Sequence, residues 1–512
     1  MKLLPLLLAT TLPFAATNRP MRLTLEAPIE KWDEAIPLGN GLLGGLLWGQ
    51  GKELHLSLDR GDRWTLRQRP IHARPEFNYA TAAQEPRLAD PFAGRDHGAS
   101  LPLEPVAGEL RGRLRAGQTL ELRERSAART LSYDPAALPQ GREYFTLRSG
   151  LGNARAKFER AKTGRVAFLG GSITAMSGWR DLVMQDLRRR FPETKFDFIG
   201  AGIGSLGSVP HAFRLGRDVL SRGPIDLLFV EAAVNDASNI PDQPERMLRG
   251  LEGVVRHART VNPLSDIVQM HFVMPEHMEA YRHGRVPVAI AQHEKVAAAY
   301  GHPSIDLARE VTERIAANQF TWADDFKNLH PSPFGHQVYA HSIARMLDAA
   351  FAGPPSPRSV PHPLPASPLD PNSYFRGRFG PLSDIRLVSG FTRETAWRPA
   401  DGKATRAGFV DVPAVVGTQA GAEFEFTFEG TGAGLFVTSG PDAGVIEFSV
   451  DGGETRTVDT FTRWSRSLHL PWSVILDDQL APGRHTVRVR LAGARNPASI
   501  GTALRVFHLL LN

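Results

Sequence analysis

The chain is predicted to hold an α/β domain built on a parallel sheet, preceded by a β-rich region and followed by an antiparallel β-sandwich. Three observations carry this. Between about residues 160 and 352, short apolar runs alternate with segments of helical period, which implies right-handed crossovers and a sheet covered on both faces. A proline-rich stretch follows, with eight prolines between 353 and 373, favouring a stiff, extended spacer. Beyond it, strands of period two recur with turn residues between them.

Taken in order, residues 1–17 read as a signal peptide: Lys2, then an apolar core too short to span a bilayer, then small residues before a cleavage site near Ala16 or Thr17. Phe14 is bulky for the −3 position, and a buried N-terminal strand is the other reading. No later apolar run approaches the roughly 18 residues of a transmembrane helix. The expectation is a secreted or periplasmic protein with no integral membrane segment in its mature chain.

Residues 18–150 form the β-rich N-terminal region. Alternation is clear in Arg22-Leu-Thr-Leu-Glu-Ala27, in Glu53-Leu-His-Leu-Ser-Leu58 and around 108–125, with a polar, proline-containing loop over 66–105. The basic patch Glu109-Leu-Arg-Gly-Arg-Leu-Arg115 is interspersed with acids and lacks aromatic interleaving, so no nucleic-acid partner is expected.

In the α/β domain, strands are predicted at 166–169, 195–199, 225–230, 267–273 and 304–307. Helices are predicted at 179–191, 211–221, 245–261, 288–300 and 336–351. Trp179, Leu182, Val183 and Leu187 share one helical face. Residues 374–512 make the sandwich, of jelly-roll type, with strands at 423–428, 445–450 and 485–491 and a hairpin turn at Asp451-Gly-Gly453.

The composition sets limits. With 42% hydrophobic and 22% charged residues, the 512-residue chain is globular in character, and its formal charge of +6 is a mild excess. It has no cysteine, which excludes disulfides, zinc thiolates, iron–sulfur clusters and cysteine nucleophiles. His293-Glu294 is not a zincin site because position 297 is Ala, and neither a metal nor another cofactor is expected.

The chemistry begins at Val166-Ala-Phe-Leu-Gly-Gly-Ser-Ile-Thr174. An apolar run ends in two glycines and a serine, the way a buried parallel strand delivers a side chain to its carboxyl edge. The same peptide is also an ordinary strand-to-helix turn with a serine cap. A nucleophilic serine needs a base and donors for an oxyanion. His330, in Asn328-Leu-His-Pro-Ser-Pro-Phe-Gly-His336, is the candidate base among many histidines; His336 and His341 read as helix-surface residues. Donors are available from the turn Gly200-Ala-Gly-Ile-Gly-Ser205 and from Asn235 in Val234-Asn-Asp236, though a loop Asn also makes Asx turns. The glycine turn is no dinucleotide fingerprint, since position 205 is Ser and it does not follow the first strand.

In this order the four blocks resemble the SGNH (GDSL) hydrolases over about 160–352. The resemblance implies a flavodoxin-like three-layer α/β/α fold, with Ser172 as nucleophile and His330 as base. The oxyanion donors would be the Ser172 and Ser205 N–H groups and the Asn235 side chain. The sequence departs from the family at Gly171, Ser205 and Ala233, and most of all at Lys327, where the family has an Asp three residues before the His. Asp324 or Asp325 from a shifted loop, or a backbone carbonyl, is left to orient His330; Asp325 is the candidate acid.

A second resemblance is shorter. Trp32…Ala35-Ile-Pro-Leu-Gly-Asn-Gly41, with Leu56-Ser-Leu-Asp59 and Trp64, is similar to the opening of family 95 α-L-fucosidases. The helical barrel that carries that family's catalysis has no room here, so it implies a polysaccharide context rather than fucosidase activity. A glycine-rich β-turn is the plainer reading.

The expected function is hydrolysis of acyl esters, acetyl foremost, on a polysaccharide or oligosaccharide through an acyl-enzyme. Trp464 and Trp472 are candidate glycan-binding aromatics of the sandwich. A lipid or thioester hydrolase of the same fold is one alternative, and a non-catalytic carbohydrate-binding protein on a decayed hydrolase scaffold is another.

Overall fold

The computed structural model describes residues 131–354, 358–406 and 408–512 in full and, before them, the backbone of four strands. The leader at 1–17, the strand expected at 22–27, Trp32 and Trp64 lie outside the described residues. The four strands, β1 (Ile36–Gly39), β2 (Leu43–Trp48), β3 (Glu53–Arg60) and β4 (Glu109–Arg113), pair antiparallel in chain order. They belong to a compact unit of their own, distinct from residues 131–512.

In the second unit, β5 (Phe145–Thr146), β6 (Thr163–Gly170), β7 (Lys195–Gly202), β8 (Leu227–Glu231), β9 (Asp266–Met270) and β10 (Ser304–Ile305) form one sheet in the order β5-β10-β9-β8-β6-β7. All neighbours are parallel except β5, which closes the β10 edge antiparallel. Counting from β6, the parallel order is 2-1-3-4-5, the doubly wound topology whose switch point lies between its first and third strands. Here that point lies between β6 and β8.

Val166, Ala167, Phe168 and Leu169 are fully buried, as are Leu227 to Val230, because helices cover both faces. That is why these strands read as unbroken apolar runs rather than alternating ones. Phe168 on β6 and Phe229 on β8 are register partners with stacked rings 5.2 Å apart. Such a pair adds about 0.5–1.5 kcal/mol beyond its buried area. The helix Trp179–Arg190 buries Trp179, Val183 and Leu187 against the same core.

The helices Pro275–Arg282 and Leu307–Ala316 had no counterpart in the sequence reading. In the second, β10 is only two residues long and Asp306 at once caps a helix by accepting the Arg309 N–H. His336 corrects another expectation. It is buried, because its ring fills the space beside Gly178 and accepts the Trp179 N–H; His341 is exposed.

The C-terminal region is a sandwich of two antiparallel sheets. One runs Phe391–Trp397, Val412–Gly417, Leu504–Leu511, Ala433–Ser439, Leu470–Asp477; the other runs Ile385–Ser389, Glu423–Gly430, Gly483–Leu491, Val445–Val450, Arg456–Asp459. The expected turn is present: Asp451 and Gly452 both have positive φ, the signature of a type I′ connection.

The two domains of this unit share one hydrophobic core. Phe213 and Leu251 from α/β helices pack with Tyr374, Trp397, Phe409, Phe436 and Phe507. A buried polar knot lies beside it, in which Asp478 accepts from the Tyr374 hydroxyl, Arg249 and Arg246. The proline-rich stretch is docked rather than a free spacer. Val360 pairs with the Asn153 side chain, His362 meets Asp266 at 2.7 Å, and the Leu369 and Asp370 N–H groups reach Glu252. Among the described residues no helix is long and apolar enough to cross a membrane.

Candidate active site

β6 ends at Gly170, and the chain turns through Gly171 into the single helical turn Ser172–Ala175. Close approach explains both glycines. A Cβ on Gly170 would stand 2.3 Å from both Glu231 Oε1 and Thr174 Oγ1, and one on Gly171 would stand 2.0 Å from Asn235 Oδ1. From the β7 side, a Cβ on Gly202 would meet the Ala175 nitrogen at 2.3 Å.

Glu231, the last residue of β8, lies beneath this turn. Its Oε1 accepts the Gly171 N–H at 2.6 Å and the Thr174 hydroxyl at 2.9 Å. Burial pushes its carboxyl up to about 7, against the opposing pull of those two hydrogen bonds. Sequence reasoning missed this residue. Its only signal is an acid closing the otherwise apolar Leu-Leu-Phe-Val-Glu231.

His330 comes from the far end of the domain. Its own N–H donates to Asn328 Oδ1, and Pro331 is buried behind it. Ser332 then clamps the loop, donating its hydroxyl to the Asp325 carbonyl and its N–H to the Phe326 carbonyl, while capping the helix Pro333–Ala350. This brings His330 Nε2 to 2.7 Å from Ser172 Oγ, hydrogen-bond distance for a nucleophile and its base.

The structure does not put Asp325 behind that base. Asp325 Oδ2 accepts the Thr321 N–H at 2.7 Å and the Thr321 hydroxyl at 3.0 Å, closing its own turn Trp322–Phe326. Lys327 leaves that turn with φ +83° and ψ −65°, a tight reversal that redirects the chain where the family's acid would stand. Desolvation lowers the His330 pKa, and the Arg406 guanidinium lowers it further. Among the described residues the arrangement is a dyad.

The expected oxyanion donors converge on the same edge. Ser205 has φ +73°, and its carbonyl is held by the Asn239 side chain at 2.8 Å. Asn235 sits in the first turn of the helix Ala233–Asn239, with its amide against Gly171. Asp236 beside it accepts the Ser208 N–H and meets His293, fixing that helix from beneath. Among the described residues no hydrogen bond engages the Ser172 N–H, the Ser205 N–H or the Asn235 side-chain amide. Of the sandwich tryptophans, Trp464 is 43% exposed with Arg463 over its ring, whereas Trp472 is half-buried against the sandwich core.

A doubly wound sheet with serine and histidine meeting at its switch point defines the class, an α/β hydrolytic domain. Residues 168–338 match the model of the GDSL-like lipase/acylhydrolase family, so the α/β domain is an SGNH (GDSL) carboxylic-ester-hydrolase domain. The chain is similar in fold to a two-domain esterase active on acetylated mannans, co-crystallised with mannopentaose. The TM-score is 0.58 at 22% identity, covering 71% of this chain and 95% of that one. An acetylxylan esterase from Geobacillus stearothermophilus matches with a TM-score of 0.28 at 18% identity, over 36% of this chain and 94% of its own. Among curated proteins, alpha-L-fucosidase 2 of Arabidopsis thaliana is 28% identical over 149 residues, 25% of this chain; the chain spans only 17% of that relative.

Proposed function

We propose that the protein is a serine esterase that removes acyl groups, acetyl foremost, from a polysaccharide or oligosaccharide. The observation that carries this is the 2.7 Å contact between Ser172 Oγ and His330 Nε2 at the switch point of the sheet. Ser172 attacks the ester carbonyl as His330 Nε2 takes its proton. The oxyanion forms among the Ser172 and Ser205 N–H groups and the Asn235 amide, which require no reorganisation to meet it. His330 returns the proton to the departing sugar hydroxyl. Water, activated by the same ring, then releases the carboxylate and frees Ser172.

The carbohydrate assignment draws on the two-domain likeness to an esterase active on acetylated mannans. It also fits a hollow of about 450 Å³ between the helix Pro275–Arg282 and Trp322, on the segment leading to His330. Its lining is mixed, with Glu276, Glu279 and Arg282 beside Pro275, Met278 and the aromatic Trp322, a surface on which a hydroxylated ring can both stack and hydrogen-bond. The leader-like sequence of residues 1–17 supports a secreted or periplasmic site of action as part of the same proposal.

The test is acetate release from acetylated mannan, xylan and pectin, with short- and long-chain aryl esters for comparison. The wild type is expected to release acetate from at least one glycan and to prefer the short aryl ester. Ser172→Ala is expected to lose at least about 10³-fold in kcat. Equal activity in the two proteins overturns the mechanism, and a preference for long chains overturns the substrate class.

A further inference from the structure

Arg406 belongs to the sandwich, on the loop between the strands Phe391–Trp397 and Val412–Gly417, yet it lies against the α/β domain's glycine turn. Its Nη2 donates to Ser205 Oγ at 3.1 Å, and its Nε lies 3.0 Å from where a Cβ on Gly204 would stand. That Nε is buried without an acceptor. Arg214, Arg249 and Arg314 each face a carboxylate. Arg406, like the buried Arg256 and Arg259, makes no ion pair among the described residues, but it alone of these three lies against the glycine turn beside Ser172. A second sandwich loop steadies the junction, with Arg463 donating to the Ser238 carbonyl at 2.8 Å on the helix that carries Asn235.

An uncompensated, partly buried cation is costly unless something else uses its charge. What develops beside it on ester attack is a negative oxygen and, across the dyad, a protonated histidine. We infer that Arg406 is a positioning residue of the esterase site, supplied by the sandwich: it holds Ser205 in its left-handed turn through the hydroxyl and sets an unpaired positive charge on the oxyanion side of the dyad. This rests on the proposed esterase reading. Among the described residues the His330 ring meets the Ser172 hydroxyl and feels the charge of Arg406, with His336 on the following helix near enough to couple to it. His336 is held down to about 4 by burial and so adds no charge near neutrality. Burial first and the Arg406 charge second both favour the neutral His330 ring, so removing Arg406 moves the acidic limb of the rate profile to higher pH.

The experiment measures kcat, KM and the pH dependence of kcat/KM on an aryl acetate, using the full chain as wild type, Arg406→Met, Arg406→Gln, Arg406→Lys and Ser172→Ala. Arg406→Met is expected to lower kcat roughly 10- to 100-fold with KM nearly unchanged, below the cost of removing an oxyanion donor outright. Its acidic limb moves upward by several tenths of a pH unit. Arg406→Lys brings the limb back, and Arg406→Gln, if the Met variant fails to fold, shows the same upward shift. A folded Met or Gln variant with unchanged kcat and limb overturns the role of Arg406 while leaving the dyad in place. Full activity in Ser172→Ala instead removes the esterase reading beneath it.

Discussion

Ser172 leaves a turn fixed on every side, whereas the His330 ring has, among the described residues, only the serine itself as a hydrogen-bonded partner. Beneath the serine lie a buried carboxyl, two glycines that admit no side chain, and the ends of β7 and β8. The histidine is placed by its backbone, through Asn328, Pro331 and the Ser332 clamp, and among the described residues no carboxylate acts on it. In the proposed reaction Ser172 must meet an ester carbonyl and its donors at once, so small displacements are costly. The base needs only to reach Oγ with Nε2 free, and a backbone-held loop supplies that. In that reaction the lack of an orienting acid among the described residues is tolerable in a way that a displaced serine is not.

The largest way to break this contrast is on the serine side. Gly171→Ala drives a methyl group into Asn235 Oδ1 and is expected to cut kcat roughly 10²- to 10³-fold, as removal of an oxyanion donor does. A fall of less than threefold in the folded variant shows that Asn235 does not serve the reaction.

Next comes Glu231→Gln, which keeps an acceptor under Gly171 and Thr174 but cannot ionise. The Glu231 pKa is raised by folding, from its ordinary 4.5 to about 7. Its linked stability is therefore fully present below the lower value and is lost as pH rises through the upper one. Wild-type Tm should thus fall relative to the variant between about pH 5 and 8, by roughly 2–4 °C. Parallel Tm curves across that range mean the carboxyl is not held neutral.

The smallest effect is expected on the histidine side. Asp325→Asn preserves an acceptor for Thr321 and should leave kcat within about threefold. An orienting acid changed to its amide would lower kcat by about 10⁴. A loss of that size restores Asp325 as the partner of His330.

Most of the α/β order was legible because burial on both faces writes strands as continuous apolar runs and helices as one-sided stripes, as at 166–169 and 179–191. The meeting of Ser172 and His330 was legible because both occupy block positions the chain order preserves. Three features were not. Asp325 lies close enough in sequence to invite the orienting role, but its carboxylate is engaged by Thr321. Glu231 is a single acid whose meaning depends on what lies over it, and no periodicity encodes that. Arg406 lies 201 residues from Ser205, in a domain of different architecture, and only the packing of the two domains brings them together.

That packing has a consequence for ancestry and engineering. Phe213 and Leu251 on one side and Trp397, Phe409 and Phe507 on the other are lined up as the interior of a single body. A chain cut at the proline-rich stretch would bare that surface to water and leave Asp478 without its arginines, inviting aggregation rather than yielding two working halves. The sandwich is accordingly not an exchangeable module. Swapping it for an unrelated β-sandwich would remove part of the fold, and the two domains are expected to be inherited, and to melt, as one.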